Sequence, residues 1–170
     1  MIQIRDLTQK DLKQAIALKV LCWPEETRGK TGALNFDQEL SFWTDWMSSA
    51  AQNQVIRRLL GAFEGNELLG AAFASLAEKS DILSDGIELN GLWVHPCQRG
   101  RGLSLMLVTR ILDDFASLGM RQIVIYCFHD SPANAYYRHF GCRVIRQEKQ
   151  TEANLIVDVF QCLIDTLKTS

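Results

Sequence analysis

The run "RQIVIYCF" (121–128) is apolar at nearly every position, as a strand buried on both faces must be. Two segments precede it. "GIELNGLWV" (86–94) reads as another strand. Residues 103–118 then carry Leu103, Met106, Leu107, Ile111, Phe115 and Leu118 at helical spacing, with Gly119 placed to stop the helix. Strand, helix and doubly buried strand specify a right-handed parallel crossover over residues 87–128. A parallel pair needs helical cover on both faces, so this unit demands a layered α/β fold.

The other segments fit around it. Ile2 to Ile4 alternates as a strand. Thr8 and Asp11 resemble a capping box opening a helix lined by Leu12, Ile16, Val20 and Trp23 and ended by Pro24. Residues 24–34 read as a loop. Asn35 and Gln38 cap a second helix lined by Leu40, Trp43 and Met47, with Phe42 and Trp46 alongside. "VIRRLLGAFEG" and "ELLGAAFASL" flank the turn "EGNE" and form a hairpin. A short helix at 131–140, stopped by Gly141, precedes two closing strands. The expected architecture is a central mixed sheet of six to seven strands flanked by about four helices, all in one domain, 1–170.

Composition limits the partners. A formal charge of −2 offers no general attraction to nucleic acid or an anionic membrane. No apolar stretch approaches the ~20 residues of a membrane span. The start, "MIQIRDLTQKD", lacks a signal-peptide core. Cys22, Cys97, Cys127, Cys142 and Cys162 are odd in number and widely spaced, which suits free thiols in a cytoplasmic protein.

The chemistry gathers where the strand at 86–94 meets its helix. Gly100 and Gly102 let a ligand approach the main chain, and the first N–H groups of the helix have no partners within it. These donors and the helix dipole favour an anion, and Arg99 and Arg101 add charge beside Gln98. The segment reads as a pyrophosphate cradle. It is not a dinucleotide fingerprint, because Leu105 stands where the third glycine belongs, and the chain has no Walker A loop. A G-x-S-x-G elbow is absent too. Cys97 beside the loop raises covalent catalysis, but no His–acid partner accompanies it in sequence. The pairs His95/Cys97 and Cys127/His129 match no standard zinc spacing, so no metal is expected.

"LWVHPCQRGRGLSLMLV" resembles the acyl-CoA-binding motif of the GNAT superfamily of N-acetyltransferases, in which a Gln or Arg leads paired glycines after a strand ending in valine and a proline. Gln98, Arg99, Gly100, Arg101 and Gly102 carry the likeness. "NAYYRHFGC" (134–142) resembles the family's second landmark, although Cys142 replaces its usual phenylalanine.

The resemblance implies direct acetyl transfer from acetyl-CoA, as co-substrate, to a primary amine of a small molecule or protein. It also implies that the strand before the loop splays from the next parallel strand. Leu92, Trp93 and Val94 would then offer backbone groups to the pantetheine and thioester, and amides from Arg99 to Leu103 would hold the pyrophosphate. Tyr137 matches a tyrosine that protonates the departing thiolate, and Asn134 is the candidate cofactor amide, since Asp130 stands where the family often has Asn. Asn90 replaces a glutamate that many relatives carry, leaving Glu88 as the candidate base through water, with Glu25 and Glu26 of the first interhelical loop as others. In this reading Trp23, Trp43 and Trp46 are core. A non-catalytic acetyl-CoA sensor is the alternative function. A homodimer, frequent among similar proteins, stays open.

Overall fold

The computed structural model describes residues 1–77, 85–150 and 154–168. The chain runs β1 (Ile2–Asp6), α1 (Leu12–Glu26), α2 (Phe36–Gln52), β2 (Arg57–Glu64), β3 (Glu67–Leu76), β4 (Gly86–Val94), a single 3-10 turn (Pro96–Gln98), α3 (Leu103–Ala116), β5 (Gln122–Phe128), α4 (Pro132–His139), β6 (Arg143–Gln150), β7 (Leu155–Leu163) and α5 (Ile164–Lys168). The strands form one seven-stranded sheet in the order β1-β2-β3-β4-β5-β7-β6. Among the described residues only β4 and β5 run parallel, as the crossover requires; the other pairings there are antiparallel.

Alternate residues of the central strands feed two cores. Leu59, Phe63, Phe73 and Trp93 pack with Leu12, Ile16 and Trp43 of α1 and α2. Their neighbours Leu60, Ala72, Ala74 and Ile87 pack with Leu107, Ile111 and Phe115 of α3 on the other face. β3 is therefore buried at each position from Leu68 to Ser75 although its pairing is antiparallel. Full burial of each large apolar side chain contributes about 1.5–3 kcal/mol.

Four features differ from the sequence expectation. α1 begins at Leu12, because the Asp11 carboxylate closes the turn ahead of it. It accepts Thr8 N–H and Oγ1 at 2.7 Å each and pairs with both terminal nitrogens of Arg5 at 2.9 and 3.0 Å. Pro24 does not end α1. It lies in the last turn, where the missing N–H loses one bond, and the helix continues to Glu26 before Thr27 N–H closes it on Trp23 O at 3.0 Å. In α3 the buried stripe includes Val108 and Leu112, while Met106 is 40% exposed because 3.6-residue periodicity carries it off the core face, and Leu118, 51% exposed, lies past the helix end at Ala116. α5 was not expected, since its five residues are too few for a periodic signal. The Asn35 cap holds, with its side-chain oxygen accepting Gln38 N–H at 2.9 Å.

Candidate active site

β4 is the strand that positions the site. It pairs with β5 only from Gly86↔Gln122 to Leu89↔Ile125. Beyond those rungs, residues 90–94 and 126–128 part, and the sheet forks. On its other edge β4 stays joined to β3. His95 N–H donates to Leu69 O at 2.9 Å, while Val94 O faces away from β3 and accepts Arg99 Nε at 3.4 Å. Backbone groups alternate along a strand, so those of Leu92 share Val94's side and point into the fork.

Two cavities occupy the fork. The larger, about 520 Å³, lies within the size range of small-molecule sites. Leu92, Trp93, Val94, Gln98, Arg99, Gly100, Gly102 and Leu103 line it, so most of the expected cofactor residues converge there. Gly100 and Gly102 sit at φ 81° and 75°, where a side chain is strained, and space is open where a Cβ would project. Gly102 precedes α3 without any side-chain cap, which leaves the first amides of the helix available to an anion.

The charged side chains of the loop are partly neutralised. Arg99 pairs with both oxygens of Glu25 at 2.8 and 2.7 Å, which raises the arginine pKa and lowers that of the carboxylate. Arg101 is held by Glu64 at 3.0 Å and does not line the cavity.

The smaller cavity, about 180 Å³, adjoins the larger and shares part of its lining. Glu26, Leu92, Trp93, Ser131, Ala133 and Tyr137 border both spaces. Burial raises the Glu26 carboxyl to about 7, against the opposing pull of Lys19 and a hydrogen bond from the Trp93 side chain. Burial also holds the Tyr137 hydroxyl well above its ordinary value, so it stays protonated at neutral pH. A carboxylate poised near neutrality and a protonated phenol thus share one wall, a suitable pair of proton acceptor and donor.

The remaining expected residues lie elsewhere. Glu88 sits on the paired part of β4, opposite Ser75 and Val124, and lines neither cavity. Asn134 is buried and already engaged, donating to Asp158 Oδ2 at 2.8 Å and accepting from Arg138 Nε at 2.8 Å. Glu25 and Glu26 belong to the last turn of α1 rather than to a loop. Trp23 is a wall of the smaller cavity, as are Tyr126 and Phe128, which sequence reasoning did not connect to the site. Glu26, named beforehand as an alternative base, is brought to both cavities because α1 continues past Pro24. All five cysteines are free, and Cys97 alone of them is exposed. Among the described residues, no helix is long and apolar enough to cross a membrane, and no cluster of His, Cys, Asp and Glu could hold a metal ion.

Residues 17–142 match the sequence model of a family described as the Acetyltransferase (GNAT) family. A search of curated proteins finds no match. Among solved structures, an N-acetyltransferase from Staphylococcus aureus Mu50 superposes with a TM-score of 0.74 at 16% identity, covering 96% of this chain and 99% of that one. The PaiA N-acetyltransferase from Thermoplasma acidophilum, in complex with coenzyme A, gives 0.67 at 18% identity over 96% and 99%. The yncA protein from Salmonella typhimurium, with acetyl-CoA as its cofactor, gives 0.66 at 18% over 96% and 94%. At these identities the likeness is one of fold.

Proposed function

The chain belongs to the GNAT acetyltransferase family, and from that premise we propose that it is an acetyl-CoA-dependent N-acetyltransferase acting on a primary amine by direct transfer. The shared wall carries this reading: Glu26 and Tyr137 border both a cleft suited to a pantetheine thioester and a separate space for an acceptor. The cofactors named for the PaiA and yncA structures support the choice of ligand.

The residues present fit acetyl-CoA. The amides from Arg99 to Leu103 and the α3 N-terminus hold the pyrophosphate, and the fork-facing groups of Leu92 and Val94 bond the pantetheine. Acetyl-CoA supplies the thioester carbonyl, to which the amine nitrogen forms a C–N bond while the C–S bond breaks and the thiolate leaves. A Leu92 or Val94 N–H near that carbonyl oxygen stabilises its developing charge. Glu26, as carboxylate, takes the proton the amine gives up. Tyr137 donates its hydroxyl proton to the leaving sulfur, and solvent returns the proton balance. Glu26 replaces Glu88 as the proposed base because it borders both cavities.

Thiol release from acetyl-CoA, measured across a panel of amines, tests the function. Initial rates with both substrates varied should give intersecting lines, as a ternary complex requires. Parallel lines would point to a covalent acyl-enzyme instead. Acetyl-CoA binding without release on any amine would leave the sensor reading.

A further inference from the structure

Asn90 stands where the sheet forks. Phe73 opposes Gly91 and Ala74 opposes Leu89, so Asn90 is the extra residue of a bulge in β4. Pairing with β5 ends one residue earlier, at Leu89. Asn90 lines the smaller cavity, and its Oδ1 is buried without a hydrogen-bond partner. Buried polar atoms are nearly always satisfied, and an orphan amide oxygen is a cost to the fold that a ligand donor would remove.

The rest of the cavity narrows what that ligand is. Glu26 provides a second oxygen, and Trp23, Trp93, Tyr126 and Phe128 provide apolar faces. The cavity already contains a cation. Lys19 Nζ is tied to Glu39 at 2.5 Å and lies 5.8, 5.1 and 5.8 Å from the ring centres of Trp23, Trp43 and Trp93. With Lys19 paired to Glu39, the apolar faces and the size of the space set what the ligand carries beyond its amine. The space of about 180 Å³ is roughly that of six waters in the liquid.

We propose that this cavity selects a compact primary amine carried on an aromatic or apolar body, with Asn90 Oδ1 accepting one amine N–H beside Glu26. The inference rests on the N-acetyltransferase reading above. Two N–H groups directed at Asn90 and Glu26 leave the amine lone pair to face the shared wall. The bulge that replaces a paired strand residue with a side-chain oxygen is then the device that orients the acceptor.

The experiment compares wild type, Asn90→Leu and Asn90→Asp with 2-phenylethylamine and spermidine as probes. Thiol release gives KM and kcat, calorimetry gives the acetyl-CoA Kd, and thermal melts report the protein without ligands. Wild type should prefer 2-phenylethylamine. Asn90→Leu should raise its KM roughly tenfold or more by removing the acceptor oxygen, with the acetyl-CoA Kd unchanged. Its Tm without ligand should rise by roughly 2–4 °C, since the buried orphan is gone. Asn90→Asp keeps an oxygen and should keep most of the affinity for the amine. An unchanged KM in Asn90→Leu, a fall in its Tm, or a preference for spermidine would overturn the inference and leave the transferase reading standing. No thiol release with either probe or with any other amine would defeat both.

Discussion

The two cavities of the fork are built by opposite means. The larger takes most of its lining from one continuous stretch, residues 92–105, and offers backbone amides held by positive-φ glycines. The smaller draws Lys19, Trp23 and Glu26 from α1, Asn90 from the bulge of β4, and Tyr126 and Phe128 from β5. Backbone recognition suits a phosphate ligand that never varies. Side-chain recognition suits an acceptor that differs from one protein to another. Changes in the first cavity should therefore act on acetyl-CoA affinity, and changes in the second on turnover and acceptor choice.

The largest effect separating the two is expected at Glu26. Glu26→Gln should lower kcat by about 10²–10⁴-fold, the range of a positioned general base, with acetyl-CoA affinity preserved. In wild type kcat/KM should rise through a limb near pH 7 as Glu26 ionises, and the variant should lack that limb. Stability should move the other way. A carboxyl raised from 4.5 to about 7 by burial makes the folded state less stable as pH climbs through that window, by roughly 3 kcal/mol in total. Glu26→Gln should accordingly melt higher than wild type at pH 8 and lose that advantage near pH 4.

Tyr137→Phe comes next, with kcat lower by about 10²-fold for loss of the general acid. Its acetyl-CoA Kd should stay close to wild type, and unaltered turnover would remove the acid role. Gly102→Val should weaken acetyl-CoA about tenfold or more, because left-handed backbone costs a residue with a Cβ about 1–2 kcal/mol. Calorimetry reads that effect directly. Arg101→Ala should be the mildest, within about fivefold on acetyl-CoA, since an exposed pair such as Arg101–Glu64 is worth at most about 1 kcal/mol. A larger loss would mean that the arginine leaves Glu64 to bind the ligand.

The same contrast explains what was legible beforehand. The strand ending at Val94, the glycine loop and the α3 stripe all lie within one short segment, and local pattern was enough to place these elements next to one another. The hairpin turn at Gly65 and the Asn35 cap were legible for the same reason. The smaller cavity depends on where α1 ends and which of its residues reach the fork. Pro24 obscured the first, because a proline in a last turn costs little while its usual meaning is a stop. The bulge at Asn90 left no mark in sequence, so Glu88 was ranked ahead of Glu26 as candidate base although of the two only Glu26 lines the cavities. Asn134, chosen for its closeness to Tyr137, is instead occupied in satisfying the buried Asp158, whose carboxylate lies 2.7 Å from His129 Nδ1 and Gln147 Nε2.

Calorimetric titration of acetyl-CoA into the protein, beside ATP and NAD, tests the central claim most directly. The expected result is a one-to-one isotherm with acetyl-CoA alone, accompanied by about 2.7 kcal/mol of stabilisation at 100 times the Kd. Binding of ATP or NAD in its place, or no binding of any of the three, would contradict the assignment of the forked sheet to an acetyl-CoA-dependent transferase.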